Sequence, residues 1–452
     1  MTHKLIRFLA IFILVSLISC KKDSSLTSSG VKIIIPSGNE NYLNMSSDYI
    51  FDQEQLHTFE LNLPEGALAF IDSDPSAKEY VEGSLTFDGE VISPVGIRYK
   101  GSVGAFWFGL SGENGNPSGH KIVTKLSMKI KIDWKGYNST FYGLKKMQFN
   151  AMNGDKSQMH YRLGHWLFRQ MGVHASRAVH ARLTINGIYY GVYTLVEEVD
   201  EQFTRHNFND GSGNLYKSVW PLKSDGSIQS DKELYQNLKT NLVAGVTANR
   251  IKKFAKEIVE SSEIEMQNII EENMIVDEII SHIVVDRTIK HDDGPFHWYC
   301  GEKSCSPHNY FWYENPTSNK VHLIPWDLDA AFNNIIYPMN ASLLIADEWG
   351  VTSENCEPYR FEGAASWSYQ RSAACDKLTR GWAGFTTKYE QLKTNFVEGP
   401  LSESTVRVDQ WANQIRDATI EASQLHNDAI YLEEWESAIW LLKEQLEYAK
   451  TH

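Results

Sequence analysis

The feature that most constrains the fold of this chain is a change of hydrophobic period part-way along it. In the first part, apolar and polar residues alternate, as in Thr58-Phe59-Glu60-Leu61-Asn62-Leu63 and Gly83-Ser84-Leu85-Thr86-Phe87. Leu126, Met128, Ile130 and Ile132 alternate in the same way with Ser127, Lys129 and Lys131. A period of two sends successive side chains to opposite faces of a strand. From about Glu263 the spacing turns helical through Ile269, Ile270, Met274, Ile279, Ile280, Ile283 and Val284. The stretch 402–450 reads as two more helices parted near His426 to Tyr431. Segregated strands and helices predict an α+β protein. The 452 residues exceed what one core usually supports, so two lobes are expected, strand-rich over about 44–200 and helix-rich over about 201–452.

Local signals fill in the first lobe. Gly101, Gly104, Gly109, Gly112, Gly115 and Gly119 punctuate a loop that leads into the strand at 125–132, and a short strand follows at Leu144 to Phe149. A helix is expected from about Lys156 to Met171, with Asp155 as N-cap, Gln158 at the third position and Gly172 just past the end. Asn186-Gly187 supplies the positive φ angles of a type I′ turn between strands Ala178 to Ile185 and Tyr189 to Val196.

The N-terminus reads as an export signal. Lys4 and Arg7 precede an apolar run from Phe8 to Ile18, and Ser19-Cys20 follows. A small residue before a cysteine at this place is what lipoprotein processing needs, so 1–20 is expected to be a signal with Cys20 taking the lipid. The polar run from Lys21 to Gly30 then opens a tether over 21–43. These readings place the protein in a bacterial cell envelope, attached to a membrane by lipid, with the outer membrane favoured and surface exposure as one outcome. A formal net charge of −14 argues against nucleic acid as a partner. Four cysteines besides Cys20 favour two disulfides, and proximity pairs Cys300 with Cys305 and Cys356 with Cys375. A zinc site is the competing reading, but no CxxC spacing supports it. His160, His165, His174 and His180 show no ligand spacing and read as ordinary residues.

The residues able to carry chemistry lie between Val285 and Phe332. They are Asp286-Arg287, His291-Asp292-Asp293-Gly294, His308-Asn309-Tyr310 and Ile324-Pro325-Trp326-Asp327-Leu328-Asp329. Phosphoryl transfer needs a carboxylate to take the hydroxyl proton, an amide and a carboxylate to hold magnesium, and a lysine to balance phosphate charge. Carboxylate, amide and carboxylate arrive here in that order. Asp286-Arg287 reads as a structural ion pair at a helix end.

With Gly96 to Gly101, Phe141 to Lys146, Tyr190 to Tyr193, Asn214 to Lys217, His308 to Tyr310 and Ile324 to Asp329, the chain resembles the CotH (spore coat protein H) kinases. This family is an atypical, secreted branch of the two-lobed protein kinase-like fold. The resemblance implies Asp293 as the catalytic carboxylate and Asn309 and Asp327 as magnesium ligands, with Asp329 either a further ligand or a turn cap. It implies Lys129 or Lys146 toward the phosphates, and backbone around Glu197, from Val196 to Val199, against the adenine. The implied cofactors are ATP and Mg2+, with Mn2+ as a substitute, and the implied acceptor is a serine or threonine hydroxyl of an exported protein. The chain departs from the family in the long loop between Asp293 and Asn309, where Phe296, His297, Trp298 and Tyr299 are either an exposed recognition face or a buried cluster. The alternative function is a catalytically silent surface module that binds protein or glycan through the cleft and the aromatic loop at 295–307.

Overall fold

The computed structural model describes residues 25–28, 31–34 and 46–452, except 114, 138, 244–246, 302–303, 338, 340–343 and 361–368. Cys20 and the signal segment lie outside the described residues. Among those described, no helix is long and apolar enough to cross a membrane.

The first lobe is built from β1 (Ser25–Ser28), β2 (Val31–Ile34), β3 (His57–Asn62), β4 (Val81–Phe87), β5 (Glu90–Tyr99), β6 (Met128–Lys131), β7 (Lys146–Asn150), β8 (Ala178–Ile185) and β9 (Ile188–Val196). Its strand order is β1-β2-β5-β4-β3-β8-β9-β7-β6, and β6 also pairs with β5. Seven strands therefore close on themselves. The ten-residue β5 makes this closure because one of its edges serves two partners. Glu90 to Ile92 pair with β2, and Gly96 to Tyr99 pair with β6. Closure removes exposed strand edges. The alternation expected from the sequence fills the interior, where Phe59, Leu85, Ile97, Met128, Ile130 and Phe149 have no measurable exposure.

Within 21–43, β1 pairs antiparallel with β2, and β2 pairs parallel with Glu90–Ile92. One expectation changes here. The helix expected from Lys156 begins later, at His160–Gln170. Asp155 does accept bonds from the backbone of Ser157, Gln158 and His160, but Gln158 has a φ of 64° and breaks the run. Gly172, with a φ of 76°, ends the helix as expected, and Asn186 and Gly187 take the positive φ angles of the hairpin turn.

A second core holds the helical lobe. It gathers the Val276–Thr288, Pro400–Leu425 and Leu432–Ala449 helices around β10 (Leu215–Lys217), β11 (Trp298–Cys300), β12 (Cys305–Ser306), β13 (Tyr310–Asn315), β14 (Lys320–Pro325) and β15 (Tyr369–Arg371). The order β10-β13-β14 forms one small sheet and β12-β11-β15 another. The helical run expected from Glu263 is split at Met274 and Ile275 into Met266–Asn273 and Val276–Thr288. Leu163, Leu167 and Phe168 of the His160–Gln170 helix belong to this second core and not to the barrel interior. The helix thus reaches from the first lobe to the floor of the site.

Candidate active site

Three short segments converge beneath the barrel. The first follows the Val276–Thr288 helix, whose residues from Ile279 to Val285 are all buried. Beyond it, Lys290 turns the chain at a φ of 50°. The His291 N–H then bonds back to the Asp286 carbonyl at 3.0 Å. His291 pins this turn from both sides, with Nδ1 on Asp286 Oδ2 at 3.0 Å and Nε2 on the Asp327 carbonyl at 3.2 Å. Gly294 is required by crowding, since a Cβ there would sit 2.5 Å from His291 Nδ1 and 2.7 Å from Asp286 Oδ2. Asp293 is presented at the tip of this locked turn.

The second and third segments are the two ends of one hairpin. β13 and β14 pair antiparallel with Tyr310 opposite Pro325, so Asn309 and Trp326 flank the open end, and the Trp326 N–H reaches the Asn309 carbonyl at 3.0 Å. Asn309 and Asp327 both adopt left-handed φ, at 52° and 55°. Asn and Asp tolerate this region better than most residues, and non-glycine residues held there concentrate at functional sites. The Asn309 amide donates to Asp293 Oδ2 at 2.8 Å, and the Tyr161 hydroxyl donates to Asp327 Oδ1 at 2.6 Å. The His160–Gln170 helix also holds the Asp329 carbonyl through His160 Nδ1 at 3.1 Å. Its Gly164 lies against Leu328, where a Cβ would be 2.8 Å from Cδ1.

The arrangement leaves negative charge uncompensated. Burial pushes the Asp293 carboxyl upward and the Asp327 charge adds to this, against a downward pull from His308 and His291. Asp329 is pushed well above the carboxylate range by burial, and then by Asp327 and Asp293. Asp329 is nevertheless open to solvent. Oxygen donors and mutual repulsion of this kind suit a hard divalent cation such as magnesium. Asn309, Asp327 and Asp329 offer donors of that type.

Cations face these carboxylates. Lys129 on β6 pairs with Glu198 at 2.6 Å. Burial works against the Glu198 charge, but Lys129, Lys146 and Lys100 bring its pKa below the usual value. Lys146 itself pairs with Asp200 at 3.3 Å. Two further lysines, absent from the sequence-derived set, belong to this group. Lys100 and Lys217 are both pushed down by burial and held up by Asp327 and then Glu198. Lys100 reaches Asn150 at 2.6 Å, and Lys217 lies 5.3 Å from the ring centres of Phe311 and Trp326. Both stand in motif segments noted above, directly before Gly101 and at the end of Asn214 to Lys217. Neither has a neighbour in sequence that would mark it as buried.

The Glu197 side chain is 2% exposed and is bound by Arg177 through the backbone N–H, Nε and Nη2, so its carboxylate is committed to structure. Asp286 pairs with His291, while Arg287 pairs with Asp347 at 2.8 Å, so the two do not form the ion pair read from the sequence. Both disulfides form as paired by proximity, Cys300 with Cys305 and Cys356 with Cys375. The aromatic residues from Phe296 to Trp298 are not an exposed face. Phe296 and Trp298 are 0% and 1% exposed, and Trp298 packs at 5.7 Å on Trp220. His297 and the Tyr299 hydroxyl both bond the Asp292 carbonyl. The loop is a core cluster because β11 is paired on both sides, with β12 and β15.

The sequence model of a family described as CotH kinase protein matches residues 97–448. This chain belongs to that family. The match starts within β5 and runs through both cores. Inner spore coat protein H of Bacillus subtilis (strain 168) is 25% identical over 210 residues. That alignment covers 44% of this chain and 53% of the relative, so the chain spans about half the length of the relative it matches.

Proposed function

We propose that this CotH-family protein is a kinase that transfers the γ-phosphate of ATP, with magnesium, to a serine or threonine hydroxyl of an exported or surface protein. The observation that carries the reading is the convergence of Asp293, Asn309 and Asp327, from three separate segments, beside Lys100 and Lys217, which feel the charges of both Asp327 and Glu198. Asp293 orients the acceptor hydroxyl and takes its proton as the oxygen bonds to the γ-phosphorus and the bond to the ADP oxygen breaks. Asn309, held against Asp293, fixes that carboxylate. Asn309 through its Oδ1, Asp327, oriented by Tyr161, and Asp329 would supply oxygens to the metal, which would offset charge on the phosphates. Lys129, Lys100 and Lys217 provide the positive wall on which those phosphates rest.

The same reading places the protein in a bacterial envelope, anchored through lipid on Cys20, where ATP is scarce and nucleotide comes from host or lysed cells. The signal-like N-terminus supports this, as does a relative named for an inner spore coat. Incorporation of labelled palmitate that Cys20→Ser abolishes is the expected result for the anchor.

The kinase reading is tested by incubating purified protein with γ-labelled ATP and magnesium or manganese, beside Asp293→Ala and Asp327→Ala. Label on the protein or on added acceptor should fall by about a thousandfold or more in both variants. Wild type that transfers no label and shows no magnesium-dependent thermal shift with ATP would sink it.

A further inference from the structure

A second cluster of metal-ligating side chains lies at the other end of the Val276–Thr288 helix. Glu278 stands in its first turn, and its two oxygens each meet one imidazole nitrogen, His174 Nδ1 at 2.8 Å and His322 Nδ1 at 2.8 Å. The donor atoms all lie within 4.8 Å of one another. Each residue comes from a different element, with His174 in the connection from the His160–Gln170 helix to β8 and His322 in the middle of β14. The helix rises about 1.5 Å per residue, so Glu278 lies roughly 15 Å along it from the end at Thr288, with the turn that carries Asp293 beyond. It is separate from the phosphoryl-transfer site.

We infer that His174, Glu278 and His322 form a binding site for a zinc-class transition-metal ion. Two imidazoles and one carboxylate are a ligand set for such an ion, whereas magnesium takes oxygen donors. Zinc bonds these atoms at about 2.0–2.2 Å in tetrahedral sites, which spaces neighbouring ligands about 3.4 Å apart, so the donors need only small shifts. Phe208 holds both rings, stacked on His174 at 4.1 Å and packed on His322 at 4.8 Å. Glu278 and His322 are buried, while the His174 side chain is 26% exposed. That opening gives the ion an entry path and leaves a fourth position to water. The ion ties together the connection before β8, the start of the helix that leads to the Asp293 turn, and β14, which ends at Pro325 two residues before Asp327. Its effect is therefore on stability.

The test uses the full-length chain without an affinity tag, stripped with chelator and titrated with zinc chloride by calorimetry and thermal unfolding. One equivalent of zinc should bind and raise the unfolding midpoint, because an ion that binds only the folded form stabilises it. Affinity should fall by about a hundredfold or more in His174→Ala and in His322→Gln. Asp327→Asn should bind zinc as wild type does, and cobalt chloride should give a visible absorption band that His174→Ala loses. His174 is part-exposed, so its variant keeps the test usable if the buried His322→Gln fails to fold. Absence of a bound equivalent in wild type, or equal affinity in folded His174→Ala, would overturn the site and leave a hydrogen-bonded clamp only.

Discussion

The two ends of the Val276–Thr288 helix treat buried charge in opposite ways. At the first turn, burial works against the Glu278 carboxylate, yet hydrogen bonds from His174 and His322 bring its pKa down to about 2. Past the last turn, burial raises both Asp293 and Asp329; Asp327 adds to it in each case, and the pull of His308 and His291 on Asp293 does not offset it. Asn309 and Asp327, beside them, hold left-handed backbone. Buried charge that is fully partnered fixes structure, whereas carboxylates crowded together are costly until a cation arrives. One helix thus joins a satisfied end to an unsatisfied one, and the unsatisfied end is where chemistry is expected.

The sharpest way to break this contrast is Gly294→Ala. The added Cβ would meet a buried ring and a buried carboxylate, neither of which is a flexible chain end. The turn carrying Asp293 must shift. Phosphate transfer should fall by about a hundredfold, the scale of a displacement of about 1 Å, and stability by about 1–3 kcal/mol. Activity within a few-fold of wild type, measured on soluble variant, would show that the His291 lock does not position Asp293. A smaller change, Asp329→Asn, separates function from stability. It removes one of three repelling carboxylates, so the metal-free protein should unfold at a higher temperature, while transfer falls about tenfold or more. Loss of both stability and activity would mean that Asp329 is a structural turn residue.

How much of this was legible in the sequence depended on how local the cause was. The Asn186-Gly187 hairpin, the inward face of Leu126 to Ile132 and the break between the last two helices rest on neighbouring residues, and the structure reproduces them. Closure of the barrel was not legible, because β5 pairs with β6 across the glycine-punctuated loop and divides one edge between two partners. The helix start was misplaced for a related reason. Asp155 has the capping chemistry, but the chain turns at Gln158 before the helix begins. Asp293, Asn309 and Asp327 stood out through their order, which survives in a linear reading. Lys100 and Lys217 did not, since an isolated lysine looks solvated until folding encloses it. His174, Glu278 and His322 are 104 and 44 residues apart in successive contacts, so no spacing rule could join them.

The smallest effect sharpens the contrast from inside the catalytic turn itself. Asp292, next to Asp293, is 1% exposed and accepts from the Asn334 amide at 2.7 Å and the Ile345 N–H at 3.3 Å. Burial outweighs these bonds and pushes its carboxyl up to about 8. The folded chain then keeps a proton that the unfolded chain releases above its ordinary value of 3.8. Stability from this group is fully present below that ordinary value and is lost as pH rises toward about 8. Asp292→Asn cannot ionise, so its unfolding midpoint should match wild type near pH 4 and exceed it by about 2 °C or more near pH 8. Thermal unfolding across that range checks the sign. A variant that loses ground to wild type as pH rises would show Asp292 to be ionised in the fold, and the unsatisfied end of the helix would then carry one further buried charge.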